Sequence, residues 1–155
     1  MRIFARTTGV AAAAALVLLV SPASALAAEP GDVTYSFTAV GSSIENTITN
    51  DSGNVITCTT SLAPAPDGVL PPVGEVIGNG QSLYESGEVP AGVTSTQVVT
   101  DVPAGTYVVL ASCGLTEGDT TTVWISDYEG LEGFLAQTPW TSHTVQQAST
   151  IVTVR

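Results

Sequence analysis

Positive charge is almost missing from this sequence. It contains no lysine and three arginines, set against 14 aspartate and glutamate residues, for a formal net charge of −11. A surface this poor in cations cannot neutralise a run of phosphates, which argues against nucleic-acid binding and against attachment to anionic lipid. The lack of lysine also excludes Schiff-base chemistry and a Walker-type phosphate site.

Side chains that commonly carry out catalysis are also scarce. The sequence contains one histidine, His143, and no Gly-x-Ser-x-Gly motif. A serine hydrolase needs a histidine base beside its serine, so the sequence does not indicate this type of enzyme. The oxygen-rich residues 50–54 form a turn sequence and do not match the twelve-residue calcium loop. We therefore predict no catalytic residue, no metal site and no cofactor. A small carboxylate-dependent hydrolase remains as an alternative, because three acidic residues cluster in the sequence and paired carboxylates can hydrolyse glycosides: Asp127, Glu129 and Glu132.

The amino terminus has the pattern of a secretory signal. Two arginines precede an unbroken apolar run at residues 10–20, and Ala25-Leu26-Ala27 supplies small residues where a signal peptidase cuts. The run is much shorter than the roughly 20 residues that span a bilayer. We predict that residues 1–27 are removed and that residues 28–155 form one domain, secreted or associated with the cell envelope and not inserted in the membrane.

Two cysteines occur, Cys58 and Cys113, and an even, minimal pair in an exported chain predicts one intramolecular disulfide. The separation of 55 residues corresponds to a stabilisation of about 4 kcal/mol in the chain-entropy model. A structural zinc site is the weaker interpretation, because it needs four ligands and His143 cannot complete the set.

The rest of the chain alternates between apolar and polar residues in the manner of β-strands, and no long segment has helical periodicity. Residues 63–80 hold four prolines and predict a long surface connection with one short helical turn. About seven short strands without βα alternation predict an all-β, antiparallel sandwich. The predicted strands lie at residues 33–39, 44–50, 55–62, 93–101, 106–113, 120–126 and 144–154.

A four-residue turn sequence occurs twice, as Val89-Pro90-Ala91-Gly92 and as Val102-Pro103-Ala104-Gly105, with proline and glycine at positions that turns favour. After the second copy, residues 106–113 are apolar on both faces, which predicts a central strand. In residues 144–154 the apolar residues change parity, from odd-numbered positions (Val145, Ile151) to even-numbered ones (Val152, Val154). We therefore expect a bulge or break near Thr150.

The two cysteines, on an early and a late strand, and Trp124 on the strand that follows resemble an immunoglobulin-like sandwich. More narrowly, the alanine-rich leader and the late strand, which opens with Pro103-Ala104-Gly105-Thr106-Tyr107 and ends in cysteine, are similar to small exported immunoglobulin-like β-sandwich proteins of unknown function from actinobacteria. The resemblance covers most of the mature chain and implies a fold but no reaction. It does not carry over the tyrosine corner of antibody domains, because Ala111 stands two residues before the second cysteine.

Half of the eight aromatic residues of the mature chain fall within residues 124–140, interleaved with glycine and leucine. Such a segment can present rings to a ligand, or it can cap the end of the sandwich. Residues 132–135, followed by a tryptophan, also resemble the neocarzinostatin-type apoproteins, which are exported, acidic carriers of an apolar chromophore. The candidate ligand-binding residues are Trp124, Tyr128, Phe134 and Trp140.

These features predict a secreted or envelope-associated, non-catalytic interaction module with an unknown extracellular or cell-envelope partner. Its strongly negative surface favours cationic partners. The first alternative is a carrier of a small apolar ligand, which predicts a concave apolar pocket lined by the aromatic residues. The second is the hydrolase, which predicts two carboxylates in one cleft. An interaction module predicts a flat or edge-strand contact instead.

Overall fold

The structure is a computed structural model that describes residues 28–77, 81–137, 141–146 and 149–155. The predicted signal sequence, residues 1–27, lies outside the described residues. The described chain is mostly β-structure, which confirms the predicted all-β class. Its elements are β1 (Val33–Val40), β2 (Ser43–Asn50), β3 (Ile56–Pro64), α1 (Val73–Ile77), β4 (Leu83–Val89), β5 (Val93–Val99), β6 (Gly105–Glu117), β7 (Thr120–Ser126), α2 (Leu131–Leu135), β8 (Thr141–Gln146) and β9 (Thr150–Val154).

The strands form two sheets. The smaller sheet has the order β1-β2-β5, and the larger has the order β4-β3-β6-β7-β8, with β9 paired to β6. Residues 105–109 of β6 pair with β9, and residues 112–117 pair with β7. The described pairs are antiparallel except β7 with β8, which is parallel. The chain between β7 and β8 passes through α2 and re-enters the sheet in the same direction, as a parallel pair requires.

The described residues contain nine strands, two more than predicted. The predicted strand at 144–154 is two strands, β8 and β9, and β9 begins at Thr150, where the change of parity predicts a break. The other addition is β4. Its sequence includes Gly87 and two glutamates, which are residues that strands tend to avoid, and Val89 is its one buried residue.

The larger sheet is covered on both faces. Tyr107, Val109 and Ala111 of β6 face the smaller sheet, while Val108 and Leu110 face α1 and α2. This arrangement confirms the prediction that β6 is a central strand. The helices and the chain leading to them form a third layer, so the connection predicted to lie on the surface in fact contributes buried side chains to the core: Ala63, Ala65 and Val76.

A layer of polar side chains crosses the interior between the sheets and separates two apolar clusters. Asn46 of β2 donates to the Thr60 hydroxyl of β3 (2.8 Å), and that hydroxyl donates to Oε1 of Gln97 on β5 (2.6 Å). The Gln97 amide in turn donates to the Cys58 carbonyl (2.8 Å). Asn46 Oδ1 is buried and has no hydrogen-bond partner within the part of the chain that the structure describes. Because a buried polar group is costly without partners, this layer restricts how the two sheets can pack.

The disulfide Cys58–Cys113 is present, as predicted. The two cysteines are direct cross-strand partners on β3 and β6, with Cα atoms 4.0 Å apart. The bond therefore joins neighbouring strands of one sheet, whereas the disulfide of antibody domains joins the two sheets. This placement distinguishes the chain from antibody domains within the shared two-sheet architecture.

Each Val-Pro-Ala-Gly turn carries the chain from one sheet to the other. The first leads from β4 in the larger sheet to β5 in the smaller, and the second leads from β5 back to β6. Gly92 adopts a positive φ of 69°, a conformation that favours glycine. After the second turn, the Tyr107 hydroxyl donates to the Pro103 carbonyl at 2.9 Å. This contact corresponds to a tyrosine corner. The sequence did not predict one, because Tyr107 does not stand two residues before Cys113, the position of the corner tyrosine in antibody domains.

Candidate functional site

Trp124, the first of the predicted ligand-binding residues, lies between the two sheets with 1% of its surface exposed. Its indole Nε1 donates to the Glu29 carbonyl at 3.0 Å, and the Tyr35 hydroxyl donates to the Trp124 carbonyl at 2.7 Å. Burial raises the pKa of Tyr35 well above its ordinary value, so this hydroxyl stays neutral and remains a donor. These contacts favour a packing role for Trp124.

Tyr128 and Phe134 lie in the cluster on the opposite face of the larger sheet. Tyr128 is 6% exposed, and its hydroxyl donates to the Pro71 carbonyl. Burial and then the nearby carboxylates raise the pKa of Tyr128. Phe134 on α2 is half-buried. Trp140 lies outside the described residues. The structure thus brings two of the four candidate residues together and separates them from Trp124.

Two of the three acidic residues considered for hydrolysis, Asp127 and Glu129, share one cleft, as that alternative predicts, and Glu132 lies outside it. Asp127 and Glu129 border a cleft of about 240 Å³ beside Tyr128, whereas Glu132 borders a shallow groove with the exposed His143. Within the part of the chain that the structure describes, no group of three Asp, Glu, His or Cys residues is placed to hold a metal ion. The arrangement does not concentrate the three carboxylates around one substrate position.

The turn residue Asn50, considered above as a calcium ligand, is fully buried and bonded within the protein. Its Nδ2 lies 2.8 Å from the Asn54 carbonyl, 2.9 Å from that of Val89 and 3.1 Å from that of Pro90. Its Oδ1 accepts from the Ser52 backbone N–H (3.0 Å) and hydroxyl (2.6 Å). Asn50 therefore ties the β2–β3 turn to the end of β4, and its oxygen is occupied by protein donors.

The larger sheet ends in a strand that sequence analysis did not identify. Among the described residues, β4 pairs with β3 alone. Its residues 84–88 are all exposed, and Tyr84 has 59% of its surface accessible. An edge strand presents unpaired N–H and C=O groups, and proteins commonly protect such an edge with charged side chains, proline or a short length. β4 is seven residues long and has no proline or lysine, and its charges are two glutamates, Glu85 and Glu88.

A cleft of about 520 Å³ lies between β4 and β5, the neighbouring edge strand of the smaller sheet. The register with β3 places Glu85 beside Thr60 and Gly87 beside Cys58. Cross-strand partners share a face of the sheet, so Glu85 and Gly87 belong to the face that looks toward the smaller sheet. A Cβ atom at Gly87 would meet no atom of the described residues within 4 Å. The missing side chain leaves this part of the cleft open.

The lining of this cleft is polar and negatively charged. On the face toward the smaller sheet, Glu85 contributes a carboxylate and Ser95 and Gln97 contribute neutral polar groups, while Ser86 and Glu88 border the cleft from the opposite face of β4. Gln97 connects the cleft to the buried polar layer. One sequence pattern could have indicated the site. Tyr84, Glu85 and Glu88 lie directly before a Val-Pro-Ala-Gly turn, where a strand must end.

The fold and this site define a class: a disulfide-bonded, all-β domain with two sheets and an open, acidic edge strand. Comparison with known proteins adds no family to this description, since no family model, no curated protein and no solved structure matches the chain. In the described ranges, no helix has the length and apolar character needed to cross a membrane.

Proposed function

We propose that the protein is exported and acts without catalysis, as an interaction module that binds a partner outside the cytoplasmic membrane. The observation that carries this proposal is β4, whose residues 84–88 are exposed along an edge that pairs with no other described strand. Edge strands are a common docking surface for extended segments, because backbone groups already in strand conformation supply the hydrogen bonds.

Export is supported by two independent features of the chain. The first is the amino-terminal pattern of arginines, apolar run and small residues. The second is the Cys58–Cys113 disulfide, a bond that persists in oxidising compartments and is rare in the cytosol. Localisation in the culture medium or at the envelope remains part of the proposal.

The geometry favours an interaction module over a carrier. A carrier predicts a concave apolar pocket lined by Trp124, Phe134 or Trp140, but Trp124 is 1% exposed and packed between the sheets, in a different cluster from Phe134. The larger cleft beside Tyr128, of about 420 Å³, is lined by residues 70–73 and 128–130 and includes a carboxylate. A hydrolase would need two carboxylates in one cleft, and Asp127 and Glu129 meet this requirement in the cleft of about 240 Å³ beside Tyr128. The exposed edge of β4 is the observation that favours the interaction module over this alternative.

Native mass spectrometry of the protein purified from its own culture supernatant or envelope wash tests this function. We expect a mature mass that begins near Ala28, two hydrogens lighter than the reduced chain, in a complex with a second polypeptide. Denaturation should release that polypeptide. A retained leader would contradict export. A bound small molecule in place of a polypeptide would contradict the interaction module and favour the carrier.

A further inference from the structure

We propose that the edge of β4 takes an extended, arginine- or lysine-bearing segment of the partner protein as an additional strand, with a cationic side chain in the cleft between β4 and β5. The inference rests on the proposed function and specifies the site and the partner chemistry. It commits to a cationic polypeptide because backbone pairing requires a polypeptide and the cleft face of β4 carries the Glu85 carboxylate.

The backbone of β4 supplies the docking edge. A strand of seven residues lies within the ordinary strand range of roughly 3–10 residues and is not one of the very short edge strands that resist pairing. Main-chain hydrogen bonds along it would give affinity, while side chains alternating between the two faces would give specificity. Every second side chain of the added strand would lie on the face that carries Glu85 and Gly87.

The cleft has room and charge for one long cationic side chain. The open space at Gly87 admits a side chain from the neighbouring strand, and Glu85 lies two residues along on the same face. Gln97 Oε1 accepts one hydrogen bond, from Thr60, and a carbonyl oxygen has a second lone pair. A guanidinium has five donors and no acceptor, so it complements a lining of carboxylate and amide oxygens.

A second copy of this chain is a poor occupant of the same edge. Two β4 strands paired with each other would bring Glu85 and Glu88 of both copies together, and like charges on paired strands are destabilising. The mature chain would carry Arg155 as its one cationic side chain against all 14 acidic residues, so two copies also repel at long range. The glutamates thus prevent self-pairing while attracting a cationic strand.

The test uses a synthetic eight-residue peptide of alternating arginine and valine, which places every arginine on one face of a strand. One control peptide has glutamate in place of arginine, and a second is N-methylated at every peptide nitrogen so that neither edge can donate to β4. Binding to the full mature protein is measured by calorimetry. We expect the unmodified peptide to bind and both controls to lose at least about tenfold in affinity.

Matched variants of the protein locate the site. Glu85→Gln removes one carboxylate from the cleft, and Glu117→Gln makes the same change at the β6–β7 hairpin, outside the cleft. Gly87→Ile fills the open space at a position where glycine has no positive φ. We expect about a tenfold loss of affinity for Glu85→Gln and Gly87→Ile, and less than about threefold for Glu117→Gln. Circular dichroism verifies that each variant is folded.

Equal affinities of Glu85→Gln and Glu117→Gln would overturn the assignment to the cleft, and equal binding of the N-methylated peptide would overturn strand addition. Failure of this inference is distinguishable from failure of the proposed function. If the partner isolated with the wild-type protein binds Glu85→Gln and Gly87→Ile unchanged, the cleft assignment is wrong and the interaction module stands. If native mass spectrometry finds a small molecule and no polypeptide, the proposed function is wrong as well.

Discussion

Substitution of Asn50 tests whether the connection between the β2–β3 turn and the end of β4 depends on one buried amide side chain. Asn50→Ala removes the contacts to Asn54, Val89, Pro90 and Ser52. A typical intramolecular hydrogen bond contributes about 1 kcal/mol net, and a buried group left without a partner costs about 1–3 kcal/mol. The side chain is fully buried and loses five contacts, so we expect the free energy of unfolding to fall by about 3 kcal/mol.

Asn50→Asp keeps the shape of the side chain but replaces the donor by a carboxylate oxygen that faces three carbonyls. We expect a larger loss than for Asn50→Ala at pH 7, because a buried carboxylate without donors is unfavourable. Burial would raise the pKa of the introduced carboxyl above its unfolded value of about 3.9. The penalty is therefore absent below that unfolded value and grows as pH rises, so the variant should recover toward pH 4.

Urea unfolding followed by tryptophan fluorescence measures both variants, with and without calcium. Asn54→Ala is the matched control. The Asn54 side chain is exposed and donates one hydrogen bond, of 3.4 Å, to Ser52, so we expect a change within about 0.5 kcal/mol. The reasoning is refuted if Asn50→Ala costs less than about 1 kcal/mol, or if calcium stabilises the wild type or Asn50→Asp, as a metal ligand at this position would require.

Three further predictions concern the core. Replacing both Cys58 and Cys113 by alanine should lower the free energy of unfolding by about 4 kcal/mol, measured in urea; an unchanged midpoint would contradict it. Folding raises the pKa of Tyr35, so the contribution of its neutral hydroxyl to the free energy of unfolding is complete below the unfolded pKa of about 10. Above that pH the contribution is lost by about 1.4 kcal/mol per pH unit. In Tyr35→Phe the free energy of unfolding should fall less steeply with rising pH than in the wild type, and equal slopes for the two proteins would refute this prediction. Tyr107→Phe should cost about 1 kcal/mol in thermal unfolding; no shift would mean that its bond to Pro103 contributes nothing.

Much of the fold could be predicted because half-buried strands carry period-2 alternation. β2 follows this pattern throughout and β1 over its first half, and β6 shows the doubly apolar pattern of a strand with both faces covered. The break at Thr150 was predictable for the same reason, since a change of parity moves apolar residues to the opposite face.

The site could not be predicted in this way because edge strands lack a buried face. β4 buries Val89 alone, so neither alternation nor composition distinguishes it from a loop. The polar layer did leave a signal: Asn46 has the same parity as the buried Ile44 and Ile48, which marks an inward-facing polar residue. Its partners Thr60 and Gln97 depend on how the sheets pack, and that information is not local in sequence.

Aromatic clustering along the chain also gave little information about proximity in space. Trp124 and Tyr128 are four residues apart, yet they lie on opposite faces of the larger sheet. Trp124 precedes the end of β7, whereas Tyr128 follows it, and the chain turns between them toward α2.

The central claim, that β4 is the surface where the partner binds, is tested most directly by site-specific photo-crosslinking in the organism that produces the protein. A benzophenone-bearing amino acid is placed at Tyr84 on β4 or at Val40 on β1, an edge strand of the other sheet; the two side chains are 59% and 50% exposed. The account predicts a light-dependent covalent adduct with one polypeptide from position 84 and none from position 40. An adduct from position 40, with none from position 84, would contradict it.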